Sequence, residues 1–514
     1  MPAVAALNRD AFAEARECFG KIETFLVSKE ACSLRESDLE RELEKRGREL
    51  MRQMIEAHLD GRGPGEAAGL VEGSDGVTRV RERLHERGLE TVFGEITVER
   101  NGYGAAGVES LHPLDAELNL PKELYSHEVR RRAAGAAASS SYDEVIGVLT
   151  ETTGAKVGKR QVEELAIRAA EDFDAFYKER YEFRPREQTG SIVVITADGK
   201  GVVMRHEDLR EATQKKAEAS RHKLTSRLSR GEKRNSKRMA TVAAVYTINP
   251  YRRTAEDVLG CLAPRNEREK PARPRPESKR VWASLEKTPE QVIKEAFREA
   301  RRRDPEGQKT WAALVDGNET QIRILKKLFR KEGYYPVIVL DFIHAAERVW
   351  QAGLDFHQEA SPELEAWVGE RLLGILNGRT AHVAAGMRRS ATLHGFDEPA
   401  RQRIDSCADY LLKYKSYMQY DVYLKMGLPV ATGVIEGACR HLVKDRMDRT
   451  GARWSLKGAE AVLRLRALRT SGDFEAYWPF HEEQEYLRNH VARYADGNVT
   501  PVRGPAKRHL HRVK

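Results

Sequence analysis

Cysteine is scarce and scattered in this chain. Its five copies, Cys18, Cys32, Cys261, Cys407 and Cys439, form no C-x-x-C pair. That spacing provides no zinc or disulfide framework and points to a reducing compartment. Long apolar runs are missing too. None approaches the roughly 18 residues that a membrane helix needs. The N-terminus MPAVAALNRDAFAEARECF lacks the basic, apolar and small-residue zones of a signal peptide. A cytoplasmic protein is expected.

What is abundant is charge. Charged residues make up 32% of the chain, the formal net charge is +9, and a hydrophobic fraction of 40% supports a globular protein. Excess positive charge favours a polyanionic partner, nucleic acid foremost, although a basic protein without such a partner would look the same. The length of 514 residues predicts two to four domains.

Along the chain, residues 1–60 read as helical, with Leu39, Leu43, Leu50, Met51, Met54 and Ile55 on one face. Residues 61–125 form a small strand-containing segment, in which Val92, Ile96 and Val98 alternate through TVFGEITVERNGYG. GYGAAG at 102–107 matches a dinucleotide-binding spacing but lacks the helix that would receive a phosphate, so it reads as a loop. Residues 126–186 suggest a helix-turn-helix. Ser141 with Glu144 forms a capping box, Gly154 ends that helix, and Lys156, Lys159 and Arg160 stand at the start of the next. An ordinary helical hairpin would share this pattern.

From 187 to 344 the texture changes. SIVVITAD, GVVMR and MATVAAVYTI read as three strands, with GKG as a tight turn between the first two. TWAALVDG and YYPVIVLDFIH supply a fourth and a fifth, each reached through a helix. A meander followed by two parallel additions is the order of a ribonuclease-H-like fold. Residues 345–432 form a helical insertion, 433–470 the last part of the core, and 471–514 a basic C-terminal tail. The whole is an α+β multidomain chain, with a ribonuclease-H-like catalytic core preceded by a helical DNA-binding region.

The acids fall at telling places. Asp198 ends the first strand, Asp316 ends the fourth, and Glu436 opens the helix after the insertion. Such a fold sets the first and fourth strand ends side by side, with that helix packed across them. Converging carboxylates hold two Mg²⁺ or Mn²⁺ ions, because hard cations take oxygen ligands. Each Asp alone would read as a turn former before Gly. Asp341 and His344, in VIVLDFIH, form an auxiliary pair or an alternative second acid. On the Glu436 helix, Ile435, Cys439, Leu442 and Val443 form a core stripe, while Arg440 and Lys444 continue the Glu436 row and suit DNA phosphate. Arg449 and Arg453 also suit phosphate, and Trp454 suits either base stacking or a core cap. YLLKYKSYMQYDVY interleaves Tyr with Lys, as a stacking surface or as core.

Read together, ETVFGEITVERNGY, HPLDAELNLPKELYS, EDFDAFY, ITADGKGV, LVDGNETQ, VIVLDFIHAAERVW and GVIEGACRHLVKDRMDRTGARWS resemble the DDE class of insertion-sequence transposases, close to the ISKra type and more distantly similar to Mutator-like enzymes. The resemblance spans roughly residues 75–470. It implies metal-dependent cleavage and strand transfer at terminal inverted repeats, with Asp198, Asp316 and Glu436 as ligands. It also implies double-stranded DNA, both repeat and target, as partner, a homodimer or larger oligomer on DNA, and a bacterial, nucleoid-associated setting. Relatives often carry a cysteine pair after the FGEITVER-type strand. Here NGYGAAGVESLHPLD has none, so no zinc is expected and packing must hold that segment. A nuclease of the same fold without strand transfer, or a domesticated DNA-binding protein, are the alternatives.

Overall fold

The computed structural model describes residues 9–182, 189–221, 224, 232, 234–260, 273–449 and 451–503. Most of the basic stretch RHKLTSRLSRGEKRNSKR, Cys261 with the residues after it, and the end of the C-terminal tail lie outside the described residues. No helix among the described residues is long and apolar enough to cross a membrane. The chain forms two compact units, Met1–Phe176 with Asp473–Lys514, and Tyr177–Gly472.

In the first unit a long helix, α1 (Glu36–Arg62), packs on an antiparallel hairpin of β1 (Arg81–Thr91) and β2 (Gly94–Gly104). The sequence revealed only the second strand. RERLHERGLET is charge-rich and largely exposed, so its alternation carries no apolar signal. Leu89, Ile96, Val98, Leu114 and Leu120 form the core beneath the hairpin. Tyr103 and Leu111, from the cysteine-free segment, are buried with Val71, Ala116 and Tyr494, so packing does hold it. GYGAAG begins as the end of β2 and is a loop only after Gly104.

Three short helices follow and pack on one another: α2 (His127–Ala137), α3 (Tyr142–Thr152) and α4 (Lys159–Ala169). The Ser141–Glu144 capping box is present. The region read as a basic tail instead returns to this unit as the helix Phe474–Asn489. Its Glu485 accepts hydrogen bonds from the buried Arg130 guanidinium, and Tyr477 donates to the Ala169 carbonyl at 2.8 Å. The apolar and aromatic residues Phe474, Tyr477 and Trp478 are buried, which charge counting alone could not show.

The second unit is built on a five-stranded mixed sheet. Its strands are β3 (Ile192–Val203), β4 (Lys237–Ile248), β5 (Glu277–Ser284), β6 (Thr310–Val315) and β7 (Val337–Leu340), in the order β5-β4-β3-β6-β7. β4 is antiparallel to both β3 and β5, while β6 and β7 are parallel additions. The order and directions are those expected, but two strands were drawn wrongly. GKG is no turn: Gly199, Lys200 and Gly201 stay extended and pair with Thr241, Ala240 and Met239, so β3 runs on through them. The third meander strand is ESKRVWAS, whose short apolar run was hidden behind a Pro-rich, charged stretch.

The parallel crossovers are α5 (Pro289–Arg303) and α6 (Glu319–Glu332). α5 starts with Pro after a Thr288–Gln291 capping box and buries Val292, Ile293, Ala296, Phe297 and Ala300. The same buried face carries Glu299, one turn after Ala296, and Glu299 is buried among cations. Glu299 Oε2 accepts from Arg280 at 2.9 Å, and Oε1 accepts from Arg302 and Arg303. Arg280 also lies 3.4 Å over the Tyr177 ring and donates to Tyr181 Oη. Burial alone would raise the Glu299 carboxyl, but the guanidiniums of Arg280, Arg303 and Arg302 outweigh it and hold it far below its ordinary 4.5. Glu299→Gln leaves those guanidiniums without a countercharge. It should destabilise the fold by about 3–5 kcal/mol in chemical denaturation at neutral pH, the usual cost of breaking a buried pair. Because the folded carboxyl is depressed, the parent should lose this advantage as pH falls below 4.5, so the gap between the two proteins should close in acid.

Candidate catalytic carboxylate site

The sheet register alone aligns three aspartates. In the parallel ladders Thr196 pairs with Leu314, and Val315 with Leu340. Continuing each register past its last pair sets Asp198 beside Asp316, and Asp316 beside Asp341. The three aspartates therefore stand in one row across the sheet, just past the ends of β6 and β7 and within β3, which runs on to Val203.

The three are not equivalent. Asp341 is fully buried and caps α7 (Phe342–Gly353). Its Oδ1 accepts from the Ile343 amide at 2.9 Å, and its Oδ2 meets His344 Nδ1 at 2.9 Å and the Thr432 hydroxyl. Protein groups thus occupy both oxygens. The bond from Asp341 raises His344 to about 9, against the opposing effect of burial. Asp316 is half-buried, and its Oδ1 accepts the Asn318 amide at 2.8 Å in a turn of its own. Asp198 is also half-buried; Oδ1 accepts the Gly199 amide, and Oδ2 accepts the thiol of Cys439 at 3.2 Å.

The chain then builds the helical insertion, whose helices include α8 (Pro362–Leu376), α9 (Thr380–Leu393), α10 (Glu398–Tyr414) and α11 (Tyr420–Met426). It returns in α12 (Gly433–Ala438), which continues into a π-helical turn over Cys439–Lys444. Such wide turns recur at functional sites. Ile435, Cys439, Leu442 and Val443 are buried as the stripe predicted. The helix touches both ends of the acid row. Glu436 and Asp341 share the Thr432 hydroxyl, which lies 3.1 Å from Glu436 Oε1, while Cys439 reaches Asp198. Burial raises the exposed-side Glu436 carboxyl, the Thr432 bond opposes that shift, and the Asp341 charge adds to it. Burial, followed by the Asp198 charge, pushes the Cys439 thiol far up, which keeps it protonated.

One oxygen or nitrogen from each of Asp341, His344 and Glu436 lies within 4.8 Å of the others, a spacing able to hold a cation. Asp341, however, would have to release His344 or Thr432 to ligate. Asp198 and Asp316 lie outside that group: Asp198 accepts at both oxygens, from Gly199 and Cys439, Asp316 accepts from Asn318 at Oδ1, and Glu436 is exposed. The carboxylate oxygens and imidazole nitrogen of the Asp341, His344 and Glu436 group suit a divalent cation.

The remaining site candidates fall in several places. Lys156, Lys159 and Arg160 are exposed at the start of α4; Lys159 pairs with Asp143 at 2.6 Å and Arg160 with Glu164 at 3.0 Å. Arg440, Lys444, Arg449 and Arg453 are exposed around the Glu436 helix and the loop after it. Trp454 is no stacking platform. It is buried, donates to the Met447 carbonyl at 3.0 Å, receives Arg446 over its ring, and bridges to Met204 at the end of β3. The Tyr-rich stretch is mostly core as well. Tyr414, Tyr420 and Tyr423 are buried, with hydroxyls donating to the carbonyls of Gly317, Leu340 and Ile338. No local pattern announces those bonds, which span 80 residues or more.

No family model matches the chain, and no curated protein is similar to it. Among solved structures, the chain is similar to a Drosophila P element transposase strand transfer complex, at 10% identity over 74% of this chain and 84% of that chain, with a TM-score of 0.23. A score that low does not define a shared fold.

The unequal settings of the aspartates give a direct expectation. Asp341→Asn presents an amide to donors that need an acceptor. It should cost about 2–3 kcal/mol of stability, the penalty for an unsatisfied buried polar group. Asp316→Asn, at a half-open turn, should stay within about 0.5 kcal/mol of the parent. Thermal and chemical denaturation of the two variants side by side measures the contrast.

Proposed function

We propose that the second unit is a ribonuclease-H-like catalytic core of the DDE type, and that the chain is an insertion-sequence transposase acting on double-stranded DNA. The observation that carries this reading is the row of Asp198, Asp316 and Asp341 in register across three neighbouring strands, crossed by the helix that bears Glu436. Asp198, Asp316 and Glu436 would hold Mg²⁺ or Mn²⁺. A pair of such ions, when bound, makes an attacking oxygen more acidic and stabilises the leaving oxygen of a phosphodiester.

The protein's own groups do the positioning. Asp341 caps α7, binds His344 and shares Thr432 with Glu436, which makes it a support for the site rather than a ligand. Cys439 steadies Asp198 from the other side. Arg440, Lys444, Arg449 and Arg453 would meet DNA phosphates around the acids. Lys156, Lys159 and Arg160, at the start of α4, the third helix of a helix-turn-helix-like trio, would do so in the first unit. Their exposed ion pairs are weak enough to yield to phosphate. Reaction at two element ends would need at least two subunits.

The test uses labelled terminal-repeat DNA with Mn²⁺. Asp198→Ala, Asp316→Ala and Glu436→Ala should each lower cleavage and joining by more than about a hundredfold, beyond the loss typical of an outer-shell partner. Gel-shift affinity for the repeat should persist. An inactive Asp341→Ala beside a fully active Asp316→Ala would transfer the second ligand role to Asp341. Cleavage without joined product would make the chain a nuclease.

A further inference from the structure

The helical insertion reaches the turn that follows Asp316. Gly317, the next residue, has φ of +96°, a conformation that side chains rarely adopt. The Asn318 amide closes the turn on Asp316 Oδ1, and α10 adds further partners. Tyr414, its last residue, is buried and donates its hydroxyl to the Gly317 carbonyl at 2.6 Å. Tyr410, one helical turn earlier, covers the same glycine: a Cβ there would lie 3.2 Å from the Tyr410 hydroxyl. Lys413 pairs with Glu319, at the start of α6 just beyond the turn. Three contacts from one helix, through Tyr410, Lys413 and Tyr414, thus bracket the turn that follows Asp316. The two tyrosine rings pack 4.9 Å apart, and Arg348 of α7 lies 5.1 Å over the Tyr410 ring.

We infer that Tyr414 is a positioning residue for divalent-metal binding, which fixes the Asp316 carboxylate through the Gly317 carbonyl and makes the insertion part of the metal site. The inference rests on the reading of Asp316 as a ligand. Because the contact is to a backbone carbonyl of the next residue, it restrains the main chain from which the Asp316 carboxylate projects. A metal site tolerates only small displacements of its ligands.

The test is Mn²⁺ binding to the full-length protein, followed by the electron paramagnetic resonance of free Mn²⁺, without DNA or turnover. Tyr414→Phe keeps the ring and removes only the hydroxyl. It should weaken Mn²⁺ binding about three- to tenfold, the worth of one hydrogen bond. Tyr423→Phe, which removes a comparable bond to the Ile338 carbonyl, should bind like the parent at an equal thermal midpoint. Gly317→Ala strains the same turn through its positive φ and presses on Tyr410 while leaving the Tyr414 hydroxyl in place, and should reproduce the weakening even if Tyr414→Phe folds poorly. Asp316→Ala should lose more than either. Parental binding by both Tyr414→Phe and Gly317→Ala, with Asp316→Ala impaired, would overturn the positioning role and leave the Asp316 assignment standing. Parental binding by Asp316→Ala would overturn both.

Discussion

Backbone register is the constraint on which this site depends. The parallel ladders from β3 to β6 and from β6 to β7 are fixed by main-chain hydrogen bonds, and a slip of one residue would turn every side chain to the other face. The runs IVVIT and WAALV and the Val339–Leu340 end of β7 are buried, and their ladders hold that register. Three aspartates distant in sequence then come into line without any contact between their side chains. The helix bearing Glu436 has only to cross the row, and its bonds through Thr432 and Cys439 fix where it does so.

Identical residues in identical register take on different work because their surroundings differ. Asp341 begins a helix directly, so the α7 amides, His344 and Thr432 consume its oxygens. Asp316 is followed by Gly-Asn, which delays its helix and leaves the carboxylate half-open. The two strand ends VDG and LDF differ by a glycine, and that glycine separates an available acid from a committed one.

Much of this was legible in the sequence, in part through errors that cancelled. Apolar runs ending in Asp marked β3, β6 and β7, and the helix start at Glu436 was plain from its stripe. Five strands were counted, yet GKG was split off as a turn and ESKRVWAS was overlooked, so the order came out right with one strand too many and one too few. The misreadings share a physical cause. Trp454, the tyrosines of the insertion and the helix Phe474–Asn489 have roles set by partners tens to hundreds of residues away, such as Met204, Leu340 and Arg130. Local periodicity reports amphipathic faces but not which distant carbonyl or guanidinium completes them.

The tyrosine hydroxyls of the insertion have one more consequence. Among the described residues β7 has a strand neighbour on one side only, and the carbonyls of Ile338 and Leu340 accept from tyrosine hydroxyls of the insertion. Left open, such a margin is a template on which a strand from another molecule can grow. Tyr420 and Tyr423 take up those acceptors, so the insertion also acts as a guard against self-association of the sheet.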